Sequence, residues 1–294
     1  GGGSIRLPAA SCGLFGLKPQ RGRVSLAPEL DGWHGLAALG CLSRNVVDSA
    51  LWLDVVSGGS KEPGAPPPPQ RPFVESAQSP PGKLRVAWST KPPRALAPPV
   101  LSDEVAATVE EAARMLTALG HQVQQRDPDW GNVANNITPR FLRGVADSVA
   151  EVPHPERLER RTRGFGRLGS LLPEAVYQRA LAGREEDARR INAIFDEFDV
   201  LVMPVMGGTA LPVRKWEGRG ALYTVLGMSR FYPYCIPWNH LGNPAMAVPF
   251  GFAADGMPLS VQVIGRPGDE AMMLSLAAQI EAERPWADAL PPIS

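Results

Sequence analysis

The sequence predicts an α/β fold in which helices cover both faces of a mixed β-sheet. A strand–helix–strand pattern occupies residues 84–125, and two apolar strand segments followed by a helix occupy residues 245–283. Apolar residues make up 44% of the 294 residues, which is enough to form a sizeable core. Strand patterns that alternate with helical patterns are typical of a sheet with helices packed on it.

The first eighty residues contain one predicted helix between two irregular stretches. Residues 1–27 are glycine-rich, then apolar, then basic. Residues 45–56 carry apolar side chains at helical spacing and are followed by a Gly-Gly pair that predicts the end of the helix. Residues 60–82 hold many prolines, including Pro66 to Pro69, and predict an extended surface connector rather than a core element.

The clearest unit is the strand–helix–strand pattern that follows. Leu84–Trp88 reads as a strand, and Ser102 is a good N-cap for a helix whose apolar residues line one face. Gly120 is placed to end that helix in a left-handed conformation. A short strand at Gln122–Gln125 completes the unit, which predicts two parallel strands joined by a right-handed crossover.

The rest of the chain is predicted to be helical first and strand-rich later. The predicted elements are a mostly helical, arginine-rich stretch at 138–198, a buried strand at 198–204, an irregular stretch at 207–240, strands at 245–249 and 259–264, and a helix at 269–283. The stretch at 207–240, which is rich in Gly, Trp and Tyr, is predicted to be irregular.

The composition argues against several classes of function. Lys and Arg number 30, as do Asp and Glu, so the net charge is zero and we expect no nucleic-acid or membrane partner. No apolar run approaches the ~20 residues that span a bilayer. Cys12, Cys41 and Cys235 are far apart and form no CxxC pair. They therefore predict neither a disulfide framework nor a zinc site, and they fit a reducing, cytoplasmic compartment.

Several motifs in the chain are not interpreted as functional sites. Gly164–Gly169 matches G-x-G-x-x-G, but a charged stretch precedes it where a dinucleotide site needs a buried strand. We interpret it as a flexible break between two helices, and the nearby arginines as a solvated helix face. No G-x-S-x-G elbow is present. Of the four scattered histidines, only His240 is a candidate neighbour of a pocket.

The chemistry is predicted to lie in Gly1-Gly2-Gly3-Ser4. Three glycines let the backbone approach a ligand closely, and successive amides can form a nest for an anion. An amide hydrolase needs both features, because a serine oxygen must reach the carbonyl carbon and fixed N–H donors must hold the oxyanion. The same four residues also occur in flexible linkers. The continuation through Ile5, Arg6, Pro8 and Ala9 is not expected of a linker.

The stretch GGGSIRLPAASCGLFGLKPQRGRVS resembles the second half of the amidase signature, in which Gly-Gly-Ser-Ile-Arg-x-Pro-Ala precedes Gly-Leu-Lys-Pro and Gly-Arg-Val-Ser. The segment 40–48 is similar to another family stretch, with Cys41 in place of the usual proline. The segment 239–245 is similar to the family's C-terminal Asn-x-x-Gly-x-Pro-Ala turn. The resemblance touches both ends of the chain, and residues 60–240 are largely unmatched.

The resemblance implies a serine amidase of the amidase-signature family. Ser4 is then the nucleophile, the backbone amides of Gly1, Gly2, Gly3 and Ser4 form the oxyanion hole, and Arg6 has a structural role. The family uses no metal or cofactor. Its Ser–cis-Ser–Lys triad places the cis-serine and the lysine before the nucleophile. We therefore expect residues 1–294 to be the C-terminal portion of a single amidase-signature domain, with the N-terminal part missing and the chain inactive on its own.

The sequence leaves three functions open. The first is an amidase that releases ammonia from a small-molecule carboxamide, with a homodimer as one option for its assembly. The second resembles the glutaminase component of glutamyl-tRNA amidotransferase, which works with partner proteins. The third is a truncated chain without activity. A lysine of this chain is not expected to replace the missing base; the candidates are Lys18, Lys61, Lys83, Lys91 and Lys215.

Segment 207–240 is expected to border the acyl pocket. Its aromatic side chains could line an apolar cavity, which favours an aryl or medium aliphatic acyl group. They are Trp216, Tyr223, Phe231, Tyr232, Tyr234 and Trp238.

Overall fold

A computed structural model describes residues 1–29, 32–58 and 65–290 of the chain. Within these ranges a single seven-stranded sheet forms. Its strands are β1 (Phe15–Lys18), β2 (Cys41–Ser43), β3 (Arg85–Trp88), β4 (Gln122–Gln125), β5 (Val200–Pro204), β6 (Ala245–Phe252) and β7 (Pro258–Gly265). They lie in the order β2-β1-β6-β7-β5-β3-β4.

The helices of the described residues range from single turns to five turns. They are α1 (Arg6–Cys12), α2 (Val46–Val56), α3 (Phe73–Ala77), α4 (Asp103–Ala118), α5 (Ala134–Glu151), α6 (Arg160–Ser170), α7 (Glu174–Asn192), α8 (Ile194–Glu197), α9 (Ala221–Phe231), α10 (Ile236–Leu241) and α11 (Glu270–Glu283). In the part of the chain that is described, none of them combines the length and the apolar character that crossing a membrane requires.

The sheet is mixed, as the sequence predicts. Strand β3 runs parallel to both of its neighbours, β4 and β5. The pairs β1–β2, β1–β6, β6–β7 and β5–β7 are antiparallel. The parallel pair β3–β4 is the one joined by helix α4, so the predicted strand–helix–strand unit is confirmed.

Helices cover both faces of the sheet, and β5 shows why. Successive side chains of a strand point to opposite faces. Val200 and Val202 pack into one cluster with residues of α2, α3, α4 and α11. Leu201 and Met203 pack into another with residues of α5, α7, α8 and α10. All the residues of β5 are buried, as expected of a strand covered on both sides.

Side-chain caps fix the helices that the sequence predicts best. The Asn45 side chain accepts a hydrogen bond from the amide of Asp48 at 2.7 Å and begins α2. The Ser102 hydroxyl accepts from the amide of Val105 at 3.3 Å and begins α4. Gly120 follows α4 with φ of +92°, the left-handed conformation predicted for it.

The proline-rich connector predicted at 60–82 contains a core element, which corrects the prediction for that part. Helix α3 lies inside it, and its first residue, Phe73, is buried in the core. Its first turn is capped by Asp54 of α2, whose carboxylate accepts from the amides of Phe73 and Val74 at 2.6 and 2.9 Å. Local sequence does not predict this cap, because its acceptor lies nineteen residues away. Residues 59–64 lie outside the described ranges.

Two further predictions about local structure are wrong. The stretch at 207–240 is not irregular throughout, because it contains α9 and α10. The segment 164–169 is not a flexible break, because it lies within α6. Its glycines let α6 approach other elements closely: a Cβ atom on Gly169 would stand 2.0 Å from the carbonyl oxygen of Leu142 in α5. Position 169 therefore needs glycine because the two helices pack closely there, and not because the backbone adopts an unusual conformation.

This packing predicts whether a substitution at Gly169 raises or lowers the free energy of unfolding. Alanine in place of glycine normally stabilises a helix interior by about 1 kcal/mol. Gly169→Ala should instead lower the free energy of unfolding by about 1–3 kcal/mol, because the new methyl group forces α6 away from α5. Urea unfolding followed by circular dichroism measures the change.

Gly220→Ala is the matched control, because nothing lies within 4 Å of the added Cβ atom and φ is −78°. We expect its effect to stay below about 1 kcal/mol. A stabilised Gly169→Ala variant would contradict the close contact between α5 and α6.

Candidate active site

Ser4 lies in a tight turn that leads into α1. The turn is closed by a hydrogen bond from the amide of Leu7 to the carbonyl oxygen of Gly3, at 2.8 Å. Gly3 has φ of +138°, and a Cβ atom there would stand 2.9 Å from the Cβ of Cys235. Only glycine fits both the conformation and the space. Ser4 itself is exposed.

A cavity of about 350 Å³ opens beside this turn. The turn residues Gly1 to Ser4 form one part of its wall, and most of the rest comes from α5, α9, the start of α10 and a loop at 93–96. Most lining side chains are apolar, such as Ile137, Phe141 and Val225. Among the described lining residues, Arg94 carries the single formal side-chain charge, and it is exposed.

The backbone amides of the turn are candidate donors to a ligand. None of the hydrogen bonds formed among the described residues uses the amide of Gly2, Gly3 or Ser4 as a donor. An amide without a partner in the protein can donate to an anion in the adjoining cavity. The turn therefore offers N–H donors beside an exposed hydroxyl, which is the pairing that acyl transfer requires.

Arg6, which follows the turn, is held by hydrogen bonds to the core. Its side chain is fully buried and donates to the side-chain oxygens of Gln262 and Asn239, and to the carbonyl oxygen of Cys235 at 3.0 Å. Gln262 in turn donates to the carbonyl oxygen of Tyr234 at 3.2 Å. Burial lowers the pKa of Arg6 from its usual value. These contacts fix α1 to β7 and α10, so the position of Ser4 depends on the core of the sheet.

The aromatic residues expected to line the acyl pocket mostly lie elsewhere. Segment 207–240 does border the cavity, but of its six named aromatic side chains only Tyr232 lines it. Tyr234 and Trp238 are fully buried in the core. Trp216, Tyr223 and Phe231 line a different pocket. The expectation is therefore wrong for five of the six.

Two aromatic lining residues, Trp33 and Phe141, are not among those predicted from sequence. Phe141 follows Ile137 by one helical turn on α5, and this spacing could have indicated a shared apolar face. Trp33 carries no such signal, because it lies in an irregular segment.

No described lysine lines the Ser4 cavity, and Lys61 lies outside the described residues. Lys18 is buried in β1, and its ammonium group donates to the carbonyl oxygen of Pro19 at 2.9 Å. Burial holds the pKa of Lys18 well below its usual value. Lys91 pairs with Asp127 at 3.3 Å. The remaining two candidates, Lys83 and Lys215, are exposed.

His240 does not line the Ser4 cavity either, so the pocket suggested for it is not found there. It is fully buried, with its Nε2 atom 3.0 Å from a carboxylate oxygen of Asp187 and its Nδ1 atom 2.6 Å from a guanidinium nitrogen of Arg140. This arrangement joins α5, α7 and α10 behind the cavity. His240 therefore connects these three helices through its contacts with Asp187 and Arg140.

Comparisons with known proteins agree on one relationship. The family model described as "Amidase" matches residues 1–274. "Putative amidase AmiB2" of Mycobacterium tuberculosis is 44% identical over 295 residues, covering 100% of this chain and 62% of the relative. "Acylamidase" of Rhodococcus erythropolis is 32% identical over 315 residues, covering 99% of this chain and 61% of the relative.

Among solved structures, 6-aminohexanoate cyclic dimer hydrolase in complex with its substrate superposes with a TM-score of 0.82 at 27% identity. The superposition covers 99% of this chain and 64% of that one. The chain thus spans less than two thirds of the length of these proteins.

The Arg6 contacts predict a large loss of stability on substitution. Arg6→Met removes the donor and leaves the oxygens of Gln262 and Asn239 buried without it. We expect the free energy of unfolding to fall by roughly 3 kcal/mol. The exposed Arg167→Met on α6 is the matched control, with an expected change within about 0.5 kcal/mol. Equal effects in urea titrations would contradict the anchoring role of Arg6.

The surroundings of His240 predict how stability depends on pH. Burial lowers its pKa, the hydrogen bond with Asp187 opposes this shift, and the charges of Arg140 and Arg21 add to it. The folded pKa therefore lies below the unfolded value of about 6.5. The unfolded chain binds the proton first as pH falls, so the contribution to stability is present above about pH 6.5 and is lost below it.

Urea midpoints at about pH 7.5 and pH 5.5 test this dependence. We expect the wild-type midpoint to fall more on acidification than that of His240→Gln, which cannot titrate. Asp187 does not contribute to this difference between pH values, because its pKa is lowered from 3.8 and it stays ionised across the range. Parallel midpoints in both proteins would show that His240 does not set the slope.

Proposed function

The chain belongs to the amidase family, and from that premise we propose that it hydrolyses the amide bond of a small apolar acyl amide through Ser4. The observation that carries the proposal is the exposed hydroxyl of Ser4, which lies at the wall of an apolar cavity beside backbone amides that have no hydrogen-bond partner among the described residues. Neither the hydroxyl nor the amides alone would suffice for amide hydrolysis. Together they match a nucleophile and an oxyanion hole.

The proposed reaction has two halves. The Ser4 oxygen attacks the carbonyl carbon and gives up its proton, and the carbonyl oxygen becomes an oxyanion held by amides of the Gly1–Ser4 turn. The C–N bond then breaks, the leaving nitrogen takes a proton, and ammonia or an amine departs. Water attacks the remaining ester and releases a carboxylate and free Ser4. Losing one oxyanion donor would cost about 3 kcal/mol of transition-state stabilisation.

The serine needs a base, because its hydroxyl is a weak nucleophile at neutral pH. The family resemblance assigns this role to a neutral lysine acting through a cis-serine, both placed before the nucleophile. No described lysine lines the cavity. We therefore propose that residues preceding Gly1 supply the base, rather than a lysine within residues 1–294.

The cavity favours an apolar acyl group. Its volume of about 350 Å³ lies within the range typical of small-molecule sites. Most of its lining side chains are aliphatic or aromatic. An aryl or medium aliphatic acyl group would bury its surface there. The names of one relative, an acylamidase, and of one structural neighbour, 6-aminohexanoate cyclic dimer hydrolase, are compatible with this choice.

A glutaminase is the second candidate, and the cavity disfavours it. Glutamine carries an α-ammonium and an α-carboxylate, and both groups need polar or charged partners when they are buried. Among the described lining residues, only Arg94 could pair with such a group as an ion. Ammonia release from glutamine would therefore be weak compared with release from an apolar amide.

The function can be tested on the protein expressed from the complete reading frame that contains this chain. A fluorophosphonate probe should label Ser4, as located by peptide mass spectrometry. Turnover of octanamide and benzamide should exceed that of glutamine. Ser4→Ala should abolish labelling and lower kcat by roughly 10⁴-fold or more, because the acyl-enzyme cannot form.

Ser11→Ala is the matched control, since Ser11 lies in α1 and its hydroxyl donates to the carbonyl oxygen of Leu7 at 2.9 Å. It should retain both labelling and turnover. Activity that survives Ser4→Ala would refute the proposed nucleophile, and a preference for glutamine would favour the glutaminase.

A further inference from the structure

A second cavity adjoins the Ser4 cavity. Its volume is about 390 Å³, similar to the first. Trp33, Phe141 and Met228 line both cavities. The far wall of the second cavity includes Val149 and Phe165, which are also apolar. The two spaces are therefore neighbours that share three lining side chains.

Trp33, one of the three shared side chains, lies between the turn that holds Ser4 and helix α5. Its indole ring packs edge-on against the ring of Phe141, with centroids 5.6 Å apart and planes at 71°. On one side the ring touches the glycine run, since a Cβ atom on Gly1 would stand 2.7 Å from its Cε3 atom. On the other side it covers Gly144 of α5, where an added Cβ atom would stand 3.2 Å from the ring. The indole therefore fills the gap between the nucleophile turn and α5.

The backbone holds Trp33 in an unfavourable conformation. Trp33 and His34 have φ of +53° and +54°, a region that bulky residues rarely adopt. Such strain persists only where the surrounding contacts enforce it, and it is concentrated at functional sites.

His34 supplies the contacts that hold this segment. Its Nε2 atom lies 2.7 Å from a carboxylate oxygen of Asp147, and its Nδ1 atom lies 2.7 Å from the hydroxyl of Tyr177. Its carbonyl oxygen accepts from the Nε atom of Arg140 at 3.0 Å. Contacts to α5 and α7 thus fix the residue next to Trp33, and the indole is held in place rather than left free to swing.

We propose that Trp33 determines the acyl-chain specificity of the enzyme by closing the Ser4 cavity against a second apolar subsite, the one lined by Val149 and Phe165. This inference rests on the proposed function. The substrate class is then an amide whose acyl group fits the first cavity, and longer chains are excluded by the indole. Removing the ring would join the two cavities and admit longer chains.

The test uses Trp33→Gly in the protein from the complete reading frame. Glycine suits φ of +53° and removes the whole ring, so it is less disruptive than alanine. Acyl p-nitroanilides from butanoyl to dodecanoyl measure kcat/KM. Each methylene newly buried should raise kcat/KM by about fourfold. The ratio of kcat/KM for dodecanoyl over butanoyl should therefore rise about sixtyfold over wild type when three methylenes are newly buried.

Trp52→Ala is the matched control, because Trp52 packs against the cluster on the opposite face of the sheet and lines neither cavity. Its chain-length profile should match that of wild type. If Trp33→Gly does not fold, as judged by circular dichroism, Met228→Ala truncates another of the three shared side chains, on α9, and should shift the profile in the same direction.

The outcomes separate this inference from the proposed function. An unchanged profile in the folded variant, with Ser4 still labelled by a fluorophosphonate and short anilides still cleaved, would overturn the role of Trp33 and leave the amidase intact. Absence of both labelling and turnover in wild type would overturn the amidase and, with it, this inference.

Discussion

The guanidinium of Arg6 lies fully buried two residues after Ser4, and a buried cation is unstable unless polar groups surround it. Its hydrogen bonds are accepted by uncharged oxygens from β7 and α10 and from the residue before α10. The chain must therefore bring three distant segments together before Arg6 can be buried. The turn that holds Ser4, which leads into α1, is fixed by this requirement together with the glycine that its conformation needs at position 3.

Buried polar contacts also connect the sheet to the elements that line the cavity. The acceptor residues of Arg6 come from the strand and the helix that lie next to the turn, while α5 and α9 provide the apolar wall opposite. A second polar arrangement, formed by Asp187, His240 and Arg140, joins α5 and α7 to α10. Buried polar contacts thus hold in place the elements that line an apolar space beside the exposed Ser4 hydroxyl.

Much of this arrangement can be predicted from local sequence, and the remainder depends on contacts between distant residues. Ser102 and Asn45 cap helices through bonds three residues away, so their roles are predictable. The α/β class with a mixed sheet follows from strand and helix patterns. Gly169 is unpredictable because its neighbour is a carbonyl of another helix, and Trp33 because its partners, Gly1 and Phe141, are remote in sequence. The aromatic composition of 207–240 indicates a pocket nearby, yet it does not distinguish lining side chains from core ones.

The contact between the glycine run and the indole has an evolutionary consequence. A side chain at position 1 would collide with the ring of Trp33, so the two positions are epistatic: Gly1 can change only after residue 33 has become smaller. The order of mutations then matters, because the reverse path passes through a sterically blocked intermediate. In descendants of this chain, a side chain at position 1 would have to appear after residue 33 had changed.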